Sequence, residues 1–269
     1  MEKQKHPGNG IREKMSEEHA AKNDTAREVV IRFPQVDPAG IVFYPRYFEM
    51  VQRAFPTVPI NTFPCGVKTQ FLRPNHLGDR IELSFECGDT VADWSVAGSM
   101  DGEKYFSMSP IDVEDTDGIL AAPMSALFST AEMDVGEWCL GRTGHMHLSR
   151  YFEFLNMAIE EYFEDTLDIP FVELHVGRNT WIPTVQFDTQ IVSMPRLDDR
   201  VSIHVRPDRL GRRAMTFTSW LIGNGHCHVV NEQVVVFVRM LEEGFESIDI
   251  PDYIRSAFEQ QRDRANVAT

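Results

Sequence analysis

The sequence has no long apolar run, no signal segment and no excess of basic residues, and each absence excludes a class of protein. None of its apolar stretches approaches the roughly 20 residues that are needed to span a bilayer, so no membrane partner is expected. Residues 1–27 carry charge with no apolar stretch behind it, which is unlike a secretory signal. We therefore expect a disordered polar tail over 1–27 and a cytoplasmic protein.

Acidic residues outnumber basic ones, 41 to 26, and give a formal net charge of −15. This charge would repel a phosphate backbone, so the sequence predicts no nucleic-acid partner. The four cysteines have no CxxC spacing, which predicts free thiols and neither a disulfide framework nor a zinc knuckle. They are Cys65, Cys87, Cys139 and Cys227.

Two histidine pairs leave a zinc site open as an alternative. His145 and His147 are two apart, as are His226 and His228, and in extended chain such pairs point to one side. His226 borders a Gly-Asn-Gly turn, where exposure is expected. We predict no metal and no cofactor.

Two regions of the chain repeat each other. TQFLRPNHLGDRIEL from Thr69 and TQIVSMPRLDDRVSI from Thr189 share threonine, glutamine, leucine, aspartate and arginine at an offset of 189 − 69 = 120. PAGIVFYPRYFEM from Pro38 and RTGHMHLSRYFEF from Arg142 share glycine and Arg-Tyr-Phe-Glu at an offset of 142 − 38 = 104. The second copy therefore has 120 − 104 = 16 more residues between the two matching segments.

Each copy opens with a loop and an amphipathic helix, and strands follow. We predict a short helix from Pro45 to Phe55, stopped by Pro56, and a longer one over Ser149–Asp165 with Ser149 as N-cap. A segment near Trp94 is expected to be a strand inside an enlarged hairpin, Gly88–Glu103, that the second copy lacks. The other predicted strands are Gly66–Leu72, Ile81–Cys87, Phe106–Val113, Met124–Thr130, Thr184–Val192, Val201–Arg206, Ala214–Ile222 and Val229–Met240.

This order predicts an α+β fold in two tandem units, 28–134 and 135–269. RFPQVDPAGIVFYPRYFEM from Arg32 resembles the start of the 4-hydroxybenzoyl-CoA thioesterase family, and FESIDIPDYIRSAFE from Phe245 is similar to its C-terminal edge. GHMHLSRYFEF in copy two resembles the Gly-His variant of hotdog acyl-CoA thioesterases. The resemblance implies a tandem hotdog protein, in which each central helix is wrapped by an antiparallel sheet.

The resemblance also implies a site and an activity. Asp37 matches the family's catalytic aspartate, the nucleophile or general base at the thioester carbonyl. Tyr44 matches the residue whose backbone N–H receives the developing oxyanion. Gly141 and Leu148 occupy the corresponding places in copy two, so one of two sites should survive. The expected protein is an acyl-CoA thioesterase acting on an aromatic or short to medium acyl group.

Other interpretations stay open, one of which is a hotdog hydratase or dehydratase, although that activity normally needs an Asp/His pair in a motif that this sequence lacks. Asp37-Pro-Ala-Gly is also ordinary turn chemistry, which would leave a non-catalytic hotdog protein that binds acyl-CoA. Some hotdog thioesterases instead use a helical glutamate as base. Glu49 and Glu153, which share a repeat position, and Glu160 and Glu161 are the candidates.

Four arginines cluster in the acidic chain and predict a coenzyme contact. Arginine binds phosphate through paired, charge-assisted hydrogen bonds. Hotdog enzymes often hold the phosphates of coenzyme A from a strand-to-strand hairpin, while a solvated basic turn is the alternative. The residues are Arg206, Arg209, Arg212 and Arg213. Further association into a homo-oligomer is also expected of paired hotdog units.

Overall fold

The structure is a computed structural model that describes residues 25–90, 92–113 and 126–267. The predicted disordered tail lies outside the described residues as far as residue 24, but its last three residues, 25–27, belong to a strand that pairs with Arg80–Cys87. The helices are α1 Pro45–Ala54, α2 Leu148–Glu161 and α3 Asp252–Val267. The strands are β1 Thr25–Val30, β2 Cys65–Phe71, β3 Arg80–Cys87, β4 Trp94–Met100, β5 Glu103–Ile111, β6 Phe128–Ser129, β7 Met133–Asp134, β8 Thr184–Ile191, β9 Arg200–Leu210, β10 Ala214–Gly223, β11 His226–Val236, β12 Val238–Met240 and β13 Phe245–Ser247.

Eleven of these strands form one antiparallel sheet, in the order β1-β3-β4-β5-β2-β8-β11-β10-β9-β6, with β7 also paired to β9. The remaining two, β12 and β13, pair with each other. A large antiparallel sheet with few helices agrees with the predicted class. From its outer edge to the centre of the sheet, each half has the same strand order. This order is β1-β3-β4-β5-β2 in the first half and β6-β9-β10-β11-β8 in the second.

The two halves meet at β2 and β8 through equivalent residues. Lys68 lies opposite Asp188, and 188 − 68 = 120, the repeat offset. Val67 faces Thr189 while Thr69 faces Phe187, so the pairing is symmetric about Lys68 and Asp188. In a symmetric dimer of identical units, the two-fold axis would place residue 68 opposite residue 68 of the second unit. Here the two positions carry opposite charges, and Lys68 Nζ lies 3.4 Å from Asp188 Oδ1.

The helices α1 and α2 pack together on one face of the sheet. Their contact also joins equivalent residues, because Phe48 stacks on Phe152 with ring centroids 4.3 Å apart, and 152 − 48 = 104. Pro45 occupies the first turn of α1 and, as predicted, the helix ends before Pro56 because proline cannot continue it. Both phenylalanines are fully buried, so the seam between the copies is part of a single core.

The start of α2 differs from its prediction. His147, not Ser149, is the N-cap, and its Nδ1 accepts a hydrogen bond of 3.2 Å from the Ser149 backbone N–H. The helix ends at Glu161 and continues as a π-helical turn over Tyr162–Thr166. The His147 ring thus accepts a hydrogen bond from an N–H in the first turn of the helix, a group that has no partner within the helix and that a serine hydroxyl commonly caps.

The strand assignment needs two corrections. The enlarged hairpin predicted over Gly88–Glu103 is wrong, because β4 lies between β3 and β5 just as β10 lies between β9 and β11. The predicted strand Met124–Thr130 was placed in copy one, whereas β6 pairs with β9 and so joins the second half. The predicted unit boundary after residue 134 stays a prediction; β6 and β7, which precede it in the chain, both pair with β9.

Candidate functional site

A cavity of about 760 Å³ lies between the two copies. Copy one contributes the loop before α1, the first turn of that helix and residues 71–74, which are the last residue of β2 and the three that follow it. Copy two contributes α2, strand β11 and the segment that follows α2. Most of the lining is apolar, and Asp37 and Tyr44 both belong to it.

Much of one wall comes from the connecting segment, residues 162–183, which joins α2 to β8. The corresponding connection in copy one, residues 55–64, is much shorter. The additional length of copy two thus forms a wall of the cavity that holds Asp37 of copy one. Early termination of α1 at Pro56 removes nothing from this wall. The lining residues of the connecting segment are Phe171, Val172, His175, Val176, Trp181, Ile182 and Pro183.

Asp37 closes a tight turn before α1. Its Oδ1 accepts hydrogen bonds from the backbone N–H groups of Ala39, at 2.8 Å, and Ile41, at 3.3 Å. Gly40 completes the turn at φ +77°, a conformation that favours glycine. Burial raises the pKa of the Asp37 carboxyl, and the backbone hydrogen bonds oppose that shift only in part. Both side-chain hydrogen bonds use Oδ1, which leaves Oδ2 for a ligand.

Tyr44 stands at the entry to α1. Its backbone N–H has no acceptor among the described residues, and Pro45 after it has no N–H to compete for one. The Tyr44 hydroxyl donates to the Phe152 carbonyl of α2 at 3.2 Å. The side chain therefore ties the copies together while the N–H stays available at the positive end of the helix.

Copy two repeats the turn without its chemistry. Gly141 N–H donates to His145 O at 2.8 Å, as Asp37 N–H donates to Ile41 O at 2.9 Å. Gly141 has no carboxyl, and the His147 ring already binds an N–H at the start of α2. Phe63, from the short connection of copy one, packs its ring against His145 with centroids 6.2 Å apart.

The helical glutamates divide into two kinds. Arg46 lies 2.7 Å from Glu49 and 2.8 Å from Glu153, and Arg150 lies 2.6 Å from Glu153. Glu49 and Glu153 are thus partners in an ion-pair network between α1 and α2. Glu160 instead lines the cavity, and burial raises the pKa of its carboxyl.

The four predicted coenzyme arginines lie outside the cavity lining: Arg206 and Arg209 belong to β9, and Arg212 and Arg213 to the β9–β10 turn. Arg212 and Arg213 share one carboxylate, Asp249, each at 2.8 Å, and Arg206 lies 2.6 Å from Asp208. The lining does include one arginine, Arg73, whose exposed side chain is 2.9 Å from Glu103. The sequence analysis did not predict Arg73 as a coenzyme contact. Arg73 lies in the repeated segment TQFLRPNHLGDRIEL, which was interpreted only as a structural repeat.

His175 is a second cavity residue that the sequence did not indicate. Its ring stacks on Trp181, with centroids 4.6 Å apart and planes within 3°. Burial lowers the pKa of His175 to about 4, so the ring is neutral near pH 7. The connecting segment is much longer than the corresponding connection of copy one, and comparison of the copies therefore could not reveal this residue.

The other predicted absences can be examined only for the described part of the chain. Within it, no group of three or more His, Cys, Asp or Glu residues is placed to hold a metal ion. The members of the histidine pairs have other neighbours: Arg196 Nε lies 3.3 Å from His145, and Ser193 Oγ lies 2.8 Å from His228. All four cysteines are free. None of the helices in the described ranges is both long and apolar enough to cross a membrane.

Solved structures include proteins of similar fold. A putative oleoyl thioesterase from Lactobacillus plantarum aligns over 84% of this chain and 99% of its own, with a TM-score of 0.57 and 9% identity. This chain shares its overall fold. A thioesterase-superfamily protein from Jannaschia sp. CCS1 aligns over 51% of this chain and 94% of its own, with a TM-score of 0.46 and 22% identity. A thioesterase from Thermus thermophilus, complexed with coenzyme A and Zn, aligns over 52% and 97%, with a TM-score of 0.43 and 20% identity. No protein-family description and no curated protein matches the sequence.

Proposed function

We propose that this chain is a thioesterase that hydrolyses acyl-CoA. The observation that carries the proposal is the placement of Asp37 and the Tyr44 N–H in one largely apolar cavity. A desolvated carboxylate and a free helix N-terminal N–H are the two groups that attack on a thioester carbonyl requires. The shared fold with a protein described as a putative oleoyl thioesterase is in keeping with this reaction.

The proposal includes a tandem pair of hotdog units. Its support is the equal strand order in the two sheet halves and the meeting of equivalent residues at their seam. Lys68 and Asp188 pair at the centre of the sheet, and Phe48 and Phe152 stack between the helices. Hotdog sites form between paired units, and this cavity likewise has walls from both.

In the proposed reaction, the thioester carbonyl lies between Asp37 Oδ2 and the Tyr44 N–H. The carboxylate attacks the carbonyl carbon or removes a proton from a water that does. The carbonyl oxygen gains negative charge, which the Tyr44 N–H and the positive end of α1 stabilise. The C–S bond then breaks, the coenzyme thiolate takes up a proton, and water supplies the second oxygen of the released acid.

Release of free thiol from a panel of aromatic and aliphatic acyl-CoAs tests the activity. Asp37→Asn keeps an oxygen to accept from Ala39 and Ile41 but removes the charge, so kcat should fall by about 10²-fold or more in a folded protein. Asp79→Asn is the matched control, because Asp79 also accepts a backbone N–H in a turn, that of His76 at 2.7 Å, and does not line the cavity. Unchanged kcat in folded Asp37→Asn would remove Asp37 from the mechanism.

Coenzyme recognition by arginine belongs to the same proposal. Arg73 stands at the cavity, whereas Arg206, Arg209, Arg212 and Arg213 would have to reach the nucleotide end of an extended ligand. Phosphate could replace the Glu103 carboxylate at Arg73 or the Asp249 carboxylate at Arg212 and Arg213. Self-association and a cytoplasmic location stay predictions.

A second candidate function is acyl-CoA binding without hydrolysis. It is favoured by the two turn hydrogen bonds that Asp37 Oδ1 already accepts, which would suffice as a structural role. Under this alternative the wild-type chain would bind a non-hydrolysable acyl-CoA thioether yet release no thiol from any acyl-CoA. Thiol release that depends on Asp37 would rule it out.

A further inference from the structure

Gln233 is a buried amide on the sheet wall of the cavity. It lies in β11, lines the cavity and is only 3% exposed. Its Nε2 donates a hydrogen bond to Thr184 Oγ1 at 2.7 Å. Its Oε1 is buried as well, and no described residue donates a hydrogen bond to that oxygen. An amide oxygen that is removed from water without a donor destabilises the fold. Packing within the chain therefore gives no reason for a glutamine here.

Copy one has no amide at the equivalent position. Gln233 pairs with Phe187 across β11 and β8. The repeat offset relates Phe187 to Val67, since 187 − 67 = 120, and Val67 pairs with Pro110 of β5. Proline has no side-chain group that forms hydrogen bonds. The repeated fold thus does not require an amide at this position, and the one copy that has it places it in the cavity that holds Asp37.

The position of Gln233 indicates which part of a ligand it would contact. The exposed lining residues mark the mouth of the cavity, and they are Leu72, Val172 and Val176. The charged nucleotide of a coenzyme would stay at this mouth, because phosphates are costly to remove from water. Gln233 lies deeper, and its strand neighbour Phe187 contacts the Tyr44 ring with centroids 5.1 Å apart. A ligand with its thioester at the Tyr44 N–H would therefore direct its acyl group toward Gln233.

The chemistry of this wall favours a donor that is not also an acceptor. Because Gln233 Nε2 already donates to Thr184, the amide offers the ligand an acceptor. A ring N–H, as in indole, donates one hydrogen bond and accepts none. A hydroxyl would bring lone pairs that apolar walls leave unpaired. A planar ring also suits the aromatic part of the lining, which includes Tyr44, Tyr47, Phe71, Phe171 and Trp181.

We propose that Gln233 selects acyl groups that carry a ring N–H, by accepting a hydrogen bond from it at Oε1. This inference rests on the proposed thioesterase function and names its substrate class. A ring of the same shape with an oxygen in place of the N–H would set two acceptors against each other. A ring of carbon alone would leave Oε1 without a donor.

The test compares the CoA thioesters of indole-3-propanoic acid and benzofuran-3-propanoic acid, which differ only in N–H against oxygen. Wild-type kcat/KM should favour the indole by about tenfold. Gln233→Met keeps the length of the side chain and removes the acceptor, so the two substrates should become equal while turnover of 3-phenylpropanoyl-CoA changes little. Gln70→Met is the matched control and should keep the preference. Gln70 is also a strand glutamine, bonded to Gln186 at 3.5 Å, and does not line the cavity.

Equal rates on the two substrates in the wild type, or a preference for indole that persists in Gln233→Met, would overturn the proposal. A preference for benzofuran would also overturn it, because the amide would then present Nε2 to the ligand. An advantage of 3-(4-hydroxyphenyl)propanoyl-CoA over 3-phenylpropanoyl-CoA that exceeds the advantage of indole over benzofuran would replace the ring N–H by a hydroxyl.

Dissociation constants of the indole and benzofuran CoA thioethers, which cannot be hydrolysed, provide a second readout. If no substrate releases thiol, the thioesterase proposal fails. The ratio of these constants in wild type and Gln233→Met still decides the role of Gln233. A ratio of about ten in favour of indole that falls to about one in the variant supports the selection, and an unchanged ratio overturns it.

Discussion

The turn at Asp37 and the turn at Gly141 have the same backbone hydrogen bonds, but their side chains allow different chemistry. Each is closed by an N–H to O bond across four residues, Asp37 to Ile41 at 2.9 Å and Gly141 to His145 at 2.8 Å. Only the first supplies a carboxyl, and only it opens onto a wall built by the long connecting segment. The two turns thus differ in their side chains while their geometry is the same, because glycine at positive φ maintains both turns.

The connections after the two helices differ in a complementary way. The long one in copy two lines the cavity of copy one, and the short one in copy one brings Phe63 against His145 of copy two. Each connection therefore lies beside the turn of the other copy. The shorter connection of copy one and the missing carboxyl of copy two therefore both lie at the Gly141 turn.

The largest expected effect comes from moving the carboxyl between copies. Gly141→Asp is sterically feasible, since an added Cβ would have His147 Cδ2 as its nearest neighbour, at 3.5 Å. In an Asp37→Asn background it should nonetheless restore no activity, which would stay about 10²-fold or more below wild type. A carboxyl alone does not form the site when its wall is missing. Thiol release measures this.

Recovery of even a tenth of wild-type activity in the double variant would show that the second site retains a working cleft. The same comparison can be made by binding. Titration of wild type with a non-hydrolysable acyl-CoA thioether should give about one tight site per chain. Two equivalent sites would contradict the asymmetry.

The pH dependence should report Asp37, and it is measured also in Glu160→Gln, which removes the other cavity carboxyl whose pKa burial raises. Burial raises the pKa of the Asp37 carboxyl above the ordinary value of about 3.9, and the ionised form is the reactive one. We expect kcat/KM to be constant at higher pH and to fall about tenfold per unit once pH drops below that raised value. His175, with its pKa lowered to about 4, should add no limb near 6.5. An acid limb at or below the ordinary aspartate value would contradict the assignment.

Substitution of arginines tests where the coenzyme binds. The two candidate places are Arg73, at the cavity in copy one, and Arg212 with Arg213 in the β9–β10 turn of copy two. Arg73→Gln and the double change Arg212→Ser with Arg213→Ser are compared for KM on acyl-CoA. The variant that lacks the phosphate contact should show a KM several-fold higher, a weaker salt dependence and little change in kcat. A thioester of N-acetylcysteamine, which lacks the nucleotide, should not distinguish it from wild type. Equal losses on both thioesters would assign the arginines to folding.

The smallest effect is expected from the Tyr44 side chain. Tyr44→Phe keeps the backbone N–H and loses only the hydroxyl that donates to Phe152 O. We expect kcat to stay within about twofold of wild type, with a loss of about 1 kcal/mol in the free energy of unfolding. Denaturant unfolding and thiol release together check this. A large fall in kcat at unchanged stability would mean that the hydroxyl itself takes part.

The repeat and its periodicity allowed much of the architecture to be predicted. Proline before and after α1 fixed its limits, and alternating apolar residues located most strands. The errors in strand assignment arose where the local sequence pattern and the strand pairing indicate different assignments. β6 looks like the last strand of copy one, and only its pairing with β9 reveals that it opens copy two. His147 was not expected as a cap because histidine is a rare residue for that role.

By itself the sequence showed two pairs of similar segments, the difference between Asp37 and Gly141, and the greater length of the second copy between its matching segments. Those properties depend on residues that are adjacent or regularly spaced in the chain. Only the tertiary structure decided that the gained length faces Asp37, that Glu153 is neutralised by Arg46 and Arg150, and that Glu160 is not. Charge pairing and cavity walls arise between residues far apart in the chain, brought together where β2 meets β8 and α1 meets α2, and no local pattern encodes that meeting.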